Sequence, residues 1–346
     1  MADKHVQWQD ATVVERGEIA AGIVRVVLGP DLPVPARPGE HIDILVQLDG
    51  ERTDERSYSI AGASADGTRL AVSVSQTSTS RGGSTFMHRL APGDVVRITQ
   101  PLQDFPLRIG APSYVLIAGG VGITAIRGMA STLKHLGADY ELHYVGGSRA
   151  RMAYLDDLEA SHGERLIPHI TQEAGRMSVQ DLLATVPVGA ELYMCGPIRL
   201  MEEVKRTWAA RGHDLTALRY ETFGNSGWFE AEPFEVVVPR LDASVVVRPG
   251  ESMLEALERG GVEMMYDCRR GECGLCEVRI LRLDGRVDHR DVFYSERQKA
   301  PNSKMCCCVS RVIVGEPASP GDSRQADAGT GEVASGTMSR VVIEVT

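Results

Sequence analysis

The chain has 346 residues, of which 43% are hydrophobic, and it carries a formal net charge of −10 at pH 7. That length exceeds one typical domain, so two or three domains with separate cores are expected. The acidic balance without a dense basic run argues against a nucleic-acid partner, and the lack of an N-terminal apolar h-region or of ~18 consecutive apolar residues argues against secretion and membrane insertion.

Residues 1–110 are predicted to form a small antiparallel β-barrel or sandwich. Short runs with alternating apolar residues, such as GIVRVVL, HIDILVQL and DVVRITQ, are separated by turns such as RPGE and APGD. Several short strands at these intervals are typical of closed or stacked antiparallel sheets.

Two segments of this first region have side chains suited to a phosphate and an aromatic ring. In ERSYSIAG, Arg56 could pair with a phosphate, while Tyr58 could lie along a ring system to which Ser59 hydrogen-bonds. In SRGGSTFMH, the GGS residues precede a predicted helix, whose N-terminus is a natural phosphate cradle. Taken alone, these segments are better interpreted as strand residues and a surface turn.

Residues 111–224 alternate between strands and helices. The buried strand SYVLIAGG leads into the helix ITAIRGMASTLKHLGA, for which Gly137 is a plausible stop. The strands YELHYVGG, LIPHI and ELYMCG follow, interleaved with helices around AYLDDLEA, SVQDLLATV and IRLMEEVKRTWAARG. This order predicts a parallel sheet built from βαβ units.

The turn between the first strand and helix of this region is rich in glycine. Gly119, Gly120 and Gly122 would let the backbone approach a pyrophosphate at a helix N-terminus. The turn lacks the G-x-G-x-x-G fingerprint, and no acidic residue ends the next strand to hold a ribose 2′-OH. That strand ends in GGSRAR, which makes Ser148 and Arg149 candidates for the adenosine side. A tight turn without a ligand is the alternative.

The C-terminal region, 234–346, follows a predicted linker at 225–233. FEVVVPRLDASVVVRPG is predicted to be a hairpin, and ESMLEALERGG a helix that begins with the capping-box pair Ser252 and Glu255. Asp284-Gly285 is a hairpin turn signal. Residues 315–337 are predicted to be a flexible loop before the closing strand RVVIEVT.

Six of the seven cysteines lie beyond residue 267, and without a secretory signal they indicate a reducing, cytoplasmic compartment in which clustered thiols bind metal or do redox chemistry. Cys268, Cys273 and Cys276 have the C-x4-C-x2-C spacing of plant-type [2Fe-2S] ferredoxins. A fourth thiolate must come from the CCC run at 306–308, and local reasoning leaves all three open. The alternatives are a zinc site or buried free thiols, but zinc sites usually present two close pairs.

Several motifs in a fixed order resemble one family over essentially the whole chain. They are R-x-Y-S at 56–59, RGGS at 81–84, GGVGIT at 119–124, MCGP at 194–197, YETFG at 220–224, DHRD at 288–291 and CVSR at 308–311. The chain resembles the reductases of Rieske oxygenase systems (class IA) of the phthalate dioxygenase reductase type, which include the vanillate demethylase reductases.

The resemblance implies three fused domains: an FMN-binding barrel at 1–110, an NAD-binding domain of the ferredoxin-NADP reductase type at 111–224, and a β-grasp plant-type ferredoxin at 234–346. It implies FMN rather than FAD, and Cys308 as the fourth ligand beside Cys268, Cys273 and Cys276. The flavin and nucleotide residues that it implies are Arg56, Ser57, Tyr58, Ser59, Gly82, Gly83, Ser84, Gly119, Gly120, Gly122, Thr124, Ser148, Arg149, Cys195, Gly196, Pro197 and Phe223. Thr124, Cys195 and Glu221 would border the reacting nicotinamide and flavin.

The function that the resemblance implies is electron transfer from NADH through FMN and the cluster to a terminal oxygenase, by a reductase that is monomeric on its own. NADPH is possible, because Arg149 and Arg151 could tolerate a 2′-phosphate. Two alternatives stay open: an NADH:flavin or quinone reductase without an oxygenase partner, and a zinc-stabilised binding module.

Overall fold

The computed structural model describes residues 6–48, 53–76, 82–223, 229, 231–314 and 338–345. The chain divides into two compact units, Met1–Phe223 (the first unit) and Gly224–Thr346 (the second unit). Much of the linker predicted at 225–233, and the whole of the loop predicted at 315–337, lie outside the described residues. None of the described helices is long and apolar enough to cross a membrane.

The first unit begins with a closed antiparallel barrel, as predicted. Its strands are β1 (Trp8–Ala20), β2 (Ile23–Pro30), β3 (Glu40–Gln47), β4 (Thr53–Ala63), β5 (Leu70–Ser75), β6 (Val95–Thr99) and β7 (Leu102–Gln103), and helix α1 (Gly83–Arg89) follows β5. The sheet order is β4-β5-β2-β1-β6-β3, and β3 pairs back with β4 to close six strands, while β7 extends the β3 edge. Alternate residues of β3, namely Ile42, Ile44 and Val46, point into the barrel core and are fully buried.

The second part of the first unit is a five-stranded parallel sheet with helices on its faces. Its strands are β8 (Tyr114–Gly119), β9 (Tyr140–Gly146), β10 (Leu166–Ile170), β11 (Glu191–Cys195) and β12 (Leu218–Glu221). Its helices are α2 (Ile123–His135), α3 (Leu155–His162), α4 (Thr171–Ala174), α5 (Val179–Ala184) and α6 (Ile198–Ala210). The order β10-β9-β8-β11-β12 reverses between β8 and β11, so a crevice is expected at the carboxyl ends of those two strands.

Side chains join the barrel to the parallel sheet within the first unit. The Arg127 guanidinium on α2 donates to the Ala61 carbonyl oxygen on β4 at 2.6 Å and stacks on the Tyr154 ring at 4.0 Å. The Tyr154 hydroxyl lies 2.5 Å from the Ser73 hydroxyl on β5. Tyr154 adopts a φ of 64°, a left-handed conformation that bulky residues rarely adopt, so these contacts hold it against local strain.

The second unit contains a five-stranded mixed sheet and a two-stranded sheet. Its elements are β13 (Phe234–Val238), β14 (Ala243–Val247), α7 (Met253–Arg259), β15 (Glu277–Asp284), β16 (Arg286–Asp288), α8 (Glu296–Lys299), β17 (Lys304–Cys306), β18 (Arg311–Ile313) and β19 (Ser339–Val345). The larger sheet has the order β14-β13-β19-β15-β17. The predicted hairpin is β13–β14, and the predicted capping box of Ser252 and Glu255 begins α7.

The hairpin predicted at Asp284-Gly285 is wrong. Strand β15, before this turn, pairs with β19 and β17, whereas β16, after it, pairs with β18 in the separate small sheet. Strand β19 occupies one edge of β15 as far as Asp284, and β16 takes β18 as its partner, so the chain crosses from one sheet to the other. Gly285 has a φ of 122° and lies so close to the Ile313 carbonyl oxygen that a side chain would not fit. The glycine is required by this crossing.

Candidate functional site

The predicted glycine turn and the MCGP segment meet at the carboxyl ends of β8 and β11. These strands are parallel neighbours, and Cys195 aligns with Ala118. A methyl group on Gly122 would collide with the Cys195 carbonyl oxygen, and one on Gly119 would lie 2.6 Å from the Pro197 ring. The backbones of the two segments are thus in direct contact, which is possible because glycine occupies both positions.

The remaining predicted residues of this turn adopt conformations suited to nucleotide binding. Gly120 has a φ of 55°, and Gly196 lies against the Gly119 backbone. The Thr124 hydroxyl, in the first turn of α2, donates to the Val121 carbonyl oxygen at 2.9 Å and so fixes the helix entrance. The site therefore presents backbone and a helix N-terminus, the arrangement that accommodates a pyrophosphate.

A buried hydrogen bond connects the barrel to this site. The Ser59 hydroxyl on β4 donates to the Glu221 carboxylate on β12 at 3.1 Å, and the two residues are only 6% and 4% exposed. Glu221 aligns with Cys195 across the β11–β12 pair, and Phe223 packs against the core of the parallel sheet. Ser59, Cys195 and Glu221 are therefore neighbours, although the sequence separates Ser59 from Glu221 by 162 positions.

Arg56, Tyr58 and Gly83 form a second cluster in the barrel. A methyl group on Gly83 would lie 2.9 Å from the Arg56 side chain and 3.1 Å from the Tyr58 hydroxyl. Gly82 precedes α1 with a φ of 89°, a conformation that glycine adopts without strain. Arg56 pairs with the Asp54 carboxylate, and burial raises the pKa of Tyr58, although the Arg56 charge opposes that shift.

This cluster fits a phosphate-bearing flavin, because the Arg56 side chain and the Tyr58 hydroxyl lie beside the Gly83 backbone. A side chain at position 83 would fill the space between them. Ser84 lies in the first turn of α1. Ser57 does not join the cluster: its hydroxyl donates instead to Asp43 at 2.5 Å, because successive strand residues point to opposite faces. Ser57 can contribute to this cluster only through its backbone.

Two carboxylates engage Arg149 beyond the end of β9. The Arg149 guanidinium lies 2.9 Å from a Glu159 oxygen and 3.2 Å from a Glu173 oxygen. The Gln172 backbone N–H donates to the Gly147 carbonyl oxygen at 3.1 Å, which brings the α4 segment beside Ser148. Sequence reasoning missed both glutamates, because neither ends the strand where an acidic residue is sought. The two ion pairs therefore occupy the Arg149 guanidinium.

The cysteine loop of the second unit directs backbone N–H groups at sulfur. Arg269, Gly271 and Gly274 have φ values of 49°, 75° and 77°, which coil the loop tightly. The N–H groups of residues 270, 272 and 273 lie 3.4 Å from the Cys268 sulfur. Such donors stabilise a thiolate and the negative charge of an iron–sulfur cluster, so the loop fits that group.

The Cys276 thiol lies among those of Cys306, Cys307 and Cys308. Hydrogen bonds from these three thiols lower the pKa of Cys276, and the negative charge placed there, together with burial, raises the pKa of each of the three. The charge of Cys268 also contributes to the raised pKa of Cys308, after the Cys276 hydrogen bond and burial.

Comparisons with known proteins agree with this architecture. Residues 237–312 match the 2Fe-2S iron-sulfur cluster binding domain, and residues 100–218 match the N-terminal domain of dimethylamine monooxygenase subunit DmmA-like proteins. The toluene-4-sulfonate monooxygenase system reductase subunit TsaB1 of Comamonas testosteroni is 35% identical over 81% of this chain and 87% of its own. The tetrachlorobenzoquinone reductase of Sphingobium chlorophenolicum is 34% identical over 87% of this chain and 95% of its own.

Among solved structures, phthalate dioxygenase reductase, described as a modular structure for electron transfer from pyridine nucleotides to [2Fe-2S], covers 98% of both chains with a TM-score of 0.70 and 25% identity. These matches confirm the predicted fold class of an antiparallel barrel, a parallel-sheet domain and a C-terminal ferredoxin domain.

Proposed function

The chain belongs to the phthalate dioxygenase reductase-like family of oxygenase reductases, and from that premise we propose that it transfers electrons from NADH through FMN and a [2Fe-2S] cluster to a terminal oxygenase. The observation that carries the proposal is the Ser59–Glu221 hydrogen bond. It brings a residue of the barrel, where a flavin would bind, against the end of the sheet, where a nucleotide would bind.

The chain's own residues would bind and orient the two redox partners. Arg56 and the backbone at Gly82 and Gly83 would hold the flavin phosphate, and Tyr58 and Ser59 its ring system. When bound, the flavin accepts the two electrons of a reduced nicotinamide and releases them singly to the iron–sulfur cluster. The protein's contribution is to fix the geometry of hydride donor and acceptor and to exclude water from between them.

The nucleotide would lie across the carboxyl ends of β8 and β11. Gly119, Gly120 and Gly122 would receive the pyrophosphate, Ser148 and Arg149 the adenosine side, and Gly196 and Pro197 the ribose beside them. Thr124, Cys195, Glu221 and Phe223 would border the nicotinamide. Each of these residues except Phe223 is at most 4% exposed to solvent. Such burial suits a site for hydride transfer, because it keeps water away.

The four cluster ligands of the proposal are Cys268, Cys273, Cys276 and Cys308. Two irons require two thiolates each, and the fourth is assigned to Cys308 rather than to Cys306 or Cys307 because Cys308 is the cysteine of the CVSR motif that the chain shares with the family. Cys306 and Cys307 would then be buried neighbours without a ligand role.

NADH is favoured over NADPH by the charges around Arg149. Because Glu159 and Glu173 engage the guanidinium, a ribose 2′-phosphate would have to displace both carboxylates and would be repelled by them. A ribose 2′-OH carries no such charge and can accept or donate a hydrogen bond here. This preference is part of the proposal.

The domain boundaries stay predictions: barrel 1–110, nucleotide domain 111–224, linker 225–233 and ferredoxin 234–346. The terminal oxygenase is proposed to be of the Rieske type, with the reductase acting as a cytoplasmic monomer. A second candidate function is supported by the similarity to the tetrachlorobenzoquinone reductase: direct reduction of a quinone.

The deciding experiment starts with the purified holoenzyme, whose iron, sulfide, zinc and flavin contents and visible spectrum are measured. A colourless zinc protein would overturn the proposal. NADH-driven turnover is then coupled to a candidate oxygenase or to a benzoquinone, with wild type and Cys276→Ser compared in both assays. Oxygenase-coupled turnover lost in the variant supports the oxygenase reductase. If the protein reduces the benzoquinone but does not support the oxygenase, and if Cys276→Ser reduces the quinone as fast as the wild type, the result supports direct quinone reduction.

A further inference from the structure

The turn that follows the DHRD segment lies directly behind the cysteine loop. The backbone N–H groups of Val292 and Phe293 donate to the Gly271 carbonyl oxygen at 3.0 and 3.2 Å. A methyl group on Gly271 would lie 2.9 Å from the Asp291 Cα, so the two backbones touch. Gly271 lies in the cysteine loop between the proposed ligands Cys268 and Cys273, so Asp291 packs directly behind that loop.

Asp291 is a charged residue with no solvent exposure. Its carboxylate accepts hydrogen bonds from the Tyr294 N–H at 3.0 Å and the Ser310 hydroxyl at 3.2 Å, and the His289 Nδ1 lies 3.3 Å away. Burial alone would raise the pKa of Asp291, but the His289 hydrogen bond, the Lys299 charge and the Tyr294 N–H together lower it. The carboxylate is therefore ionised near neutral pH.

Lys299 places a buried ammonium beside this carboxylate. It is only 8% exposed, its ammonium lies 4.0 Å from an Asp291 carboxylate oxygen, and it donates to the Asp291 carbonyl oxygen at 2.7 Å. The neighbouring Arg290 forms an ion pair at 2.7 Å with Asp288, so those two charges offset each other. Asp291 and Lys299 are thus a distinct buried pair at the back of the cysteine loop.

We propose that Asp291 and Lys299 are positioning residues that set the reduction potential of the cluster, an inference that rests on the proposed function of the cysteine loop. Reduction adds negative charge to the cluster. A buried carboxylate behind the loop opposes that change and a buried ammonium favours it, and both act through a medium that screens charge poorly. Removing one member leaves the other uncompensated, so the two removals shift the potential in opposite directions.

The test is a potentiometric titration of the holoenzyme, with the reduced cluster followed by electron paramagnetic resonance. Asp291→Asn preserves the shape of the side chain and is expected to favour the reduced cluster at least tenfold, which is a rise of about 59 mV for one electron. Lys299→Met is expected to shift the same equilibrium at least tenfold the other way. The double variant is expected to return toward the wild-type value.

Arg340→Gln serves as the matched control, because Arg340 is an exposed charge of the second unit and pairs with Glu235 at 3.1 Å. The reduction potential of the cluster in Arg340→Gln is expected to match that of the wild type. The inference would be overturned if Asp291→Asn and Lys299→Met shifted the potential in the same direction, or by no more than Arg340→Gln does. If Asp291→Asn fails to assemble a cluster, the direction in which Lys299→Met shifts the reduction potential decides whether the inference holds. A wild-type protein without a cluster would instead refute the proposed function, and iron and sulfide analysis separates the two cases.

Discussion

Ser59 and Glu221 share a buried 3.1 Å hydrogen bond that joins the barrel to the parallel sheet. The bond fixes where the middle of β4 meets the end of β12, and hence where a flavin edge and a nicotinamide would approach each other. Small displacements between reacting groups are costly, because a misplacement of about 1 Å can slow a reaction on the order of 100-fold.

Ser59→Ala should therefore slow flavin reduction by NADH roughly 10-fold to 100-fold while leaving NADH affinity within about threefold. Stopped-flow absorbance of the flavin measures the rate, and its dependence on NADH concentration gives the affinity. Ser64→Ala is the control, because Ser64 lies in an exposed turn and bonds to Asp66. Equal rates in the two variants would show that the Ser59 bond does not position the reactants.

The three adjacent cysteines should differ in their importance for the cluster. Cys308→Ser is expected to lose most of the bound iron and sulfide, because a hydroxyl is a poor substitute for a thiolate ligand. Cys306→Ser and Cys307→Ser should retain both, together with the visible spectrum. Iron and sulfide analysis of the three purified variants checks this. If Cys306→Ser lost iron and sulfide while Cys308→Ser retained them, the fourth cluster ligand would be Cys306 instead of Cys308.

Gly122→Ala should destabilise the first unit, because its methyl group would collide with the Cys195 carbonyl oxygen. Overpacking of this kind costs about 1–3 kcal/mol, and here it would also displace the turn that receives the pyrophosphate. Urea unfolding and NADH titration measure the two effects. Gly17→Ala is the matched control, since nothing lies within 4 Å of the side chain it would add. A Gly122 variant as stable as this control would disprove the close packing.

Removal of the carboxylates around Arg149 should relax the nucleotide preference. In Glu159→Gln/Glu173→Gln the guanidinium is freed to meet a 2′-phosphate, so the KM for NADPH is expected to fall about tenfold while that for NADH stays within about twofold. Steady-state kinetics with both nucleotides measure the change. Glu203→Gln, on α6, is the control. An unchanged KM for NADPH would mean that these glutamates do not select the nucleotide.

Two stacked histidines should make stability depend on pH. His143 Nδ1 lies 3.0 Å from His169 Nε2, and burial together with the neighbouring imidazole lowers the pKa of His169 from 6.5 to about 4. Between those pH values the unfolded chain binds a proton that the folded chain does not, so the free energy of unfolding falls as the pH drops from 6.5 toward 4.

His169→Gln should flatten this decline, which urea unfolding of the holoenzyme at pH 7 and pH 5 measures. His135→Gln, which removes an exposed histidine of α2, should leave the decline as in the wild type. A decline of equal steepness in all three proteins would show that His169 is not its source.

Much of the fold could be predicted from the sequence because the signals were local. The alternation of strands and helices beyond residue 111, the capping box at Ser252, and the stop at Gly137, whose φ is 67°, each depend on residues a few positions apart. The C-x4-C-x2-C spacing likewise specifies a loop whose N–H groups surround sulfur. In such stretches, the backbone geometry follows from propensity and periodicity alone.

What the tertiary structure decided were the partners of residues far apart in the chain. Glu221 could not be paired with Ser59 until the barrel packed against the parallel sheet, nor Arg149 with Glu173 until strand order placed the ends of β9 and β10 side by side. Asp284-Gly285 has the local chemistry of a hairpin, yet β15 pairs with β19 up to Asp284 while β16 pairs with β18 in a separate sheet. A local pattern fixes backbone conformation, whereas the choice of neighbour depends on which edges and faces the rest of the fold leaves available.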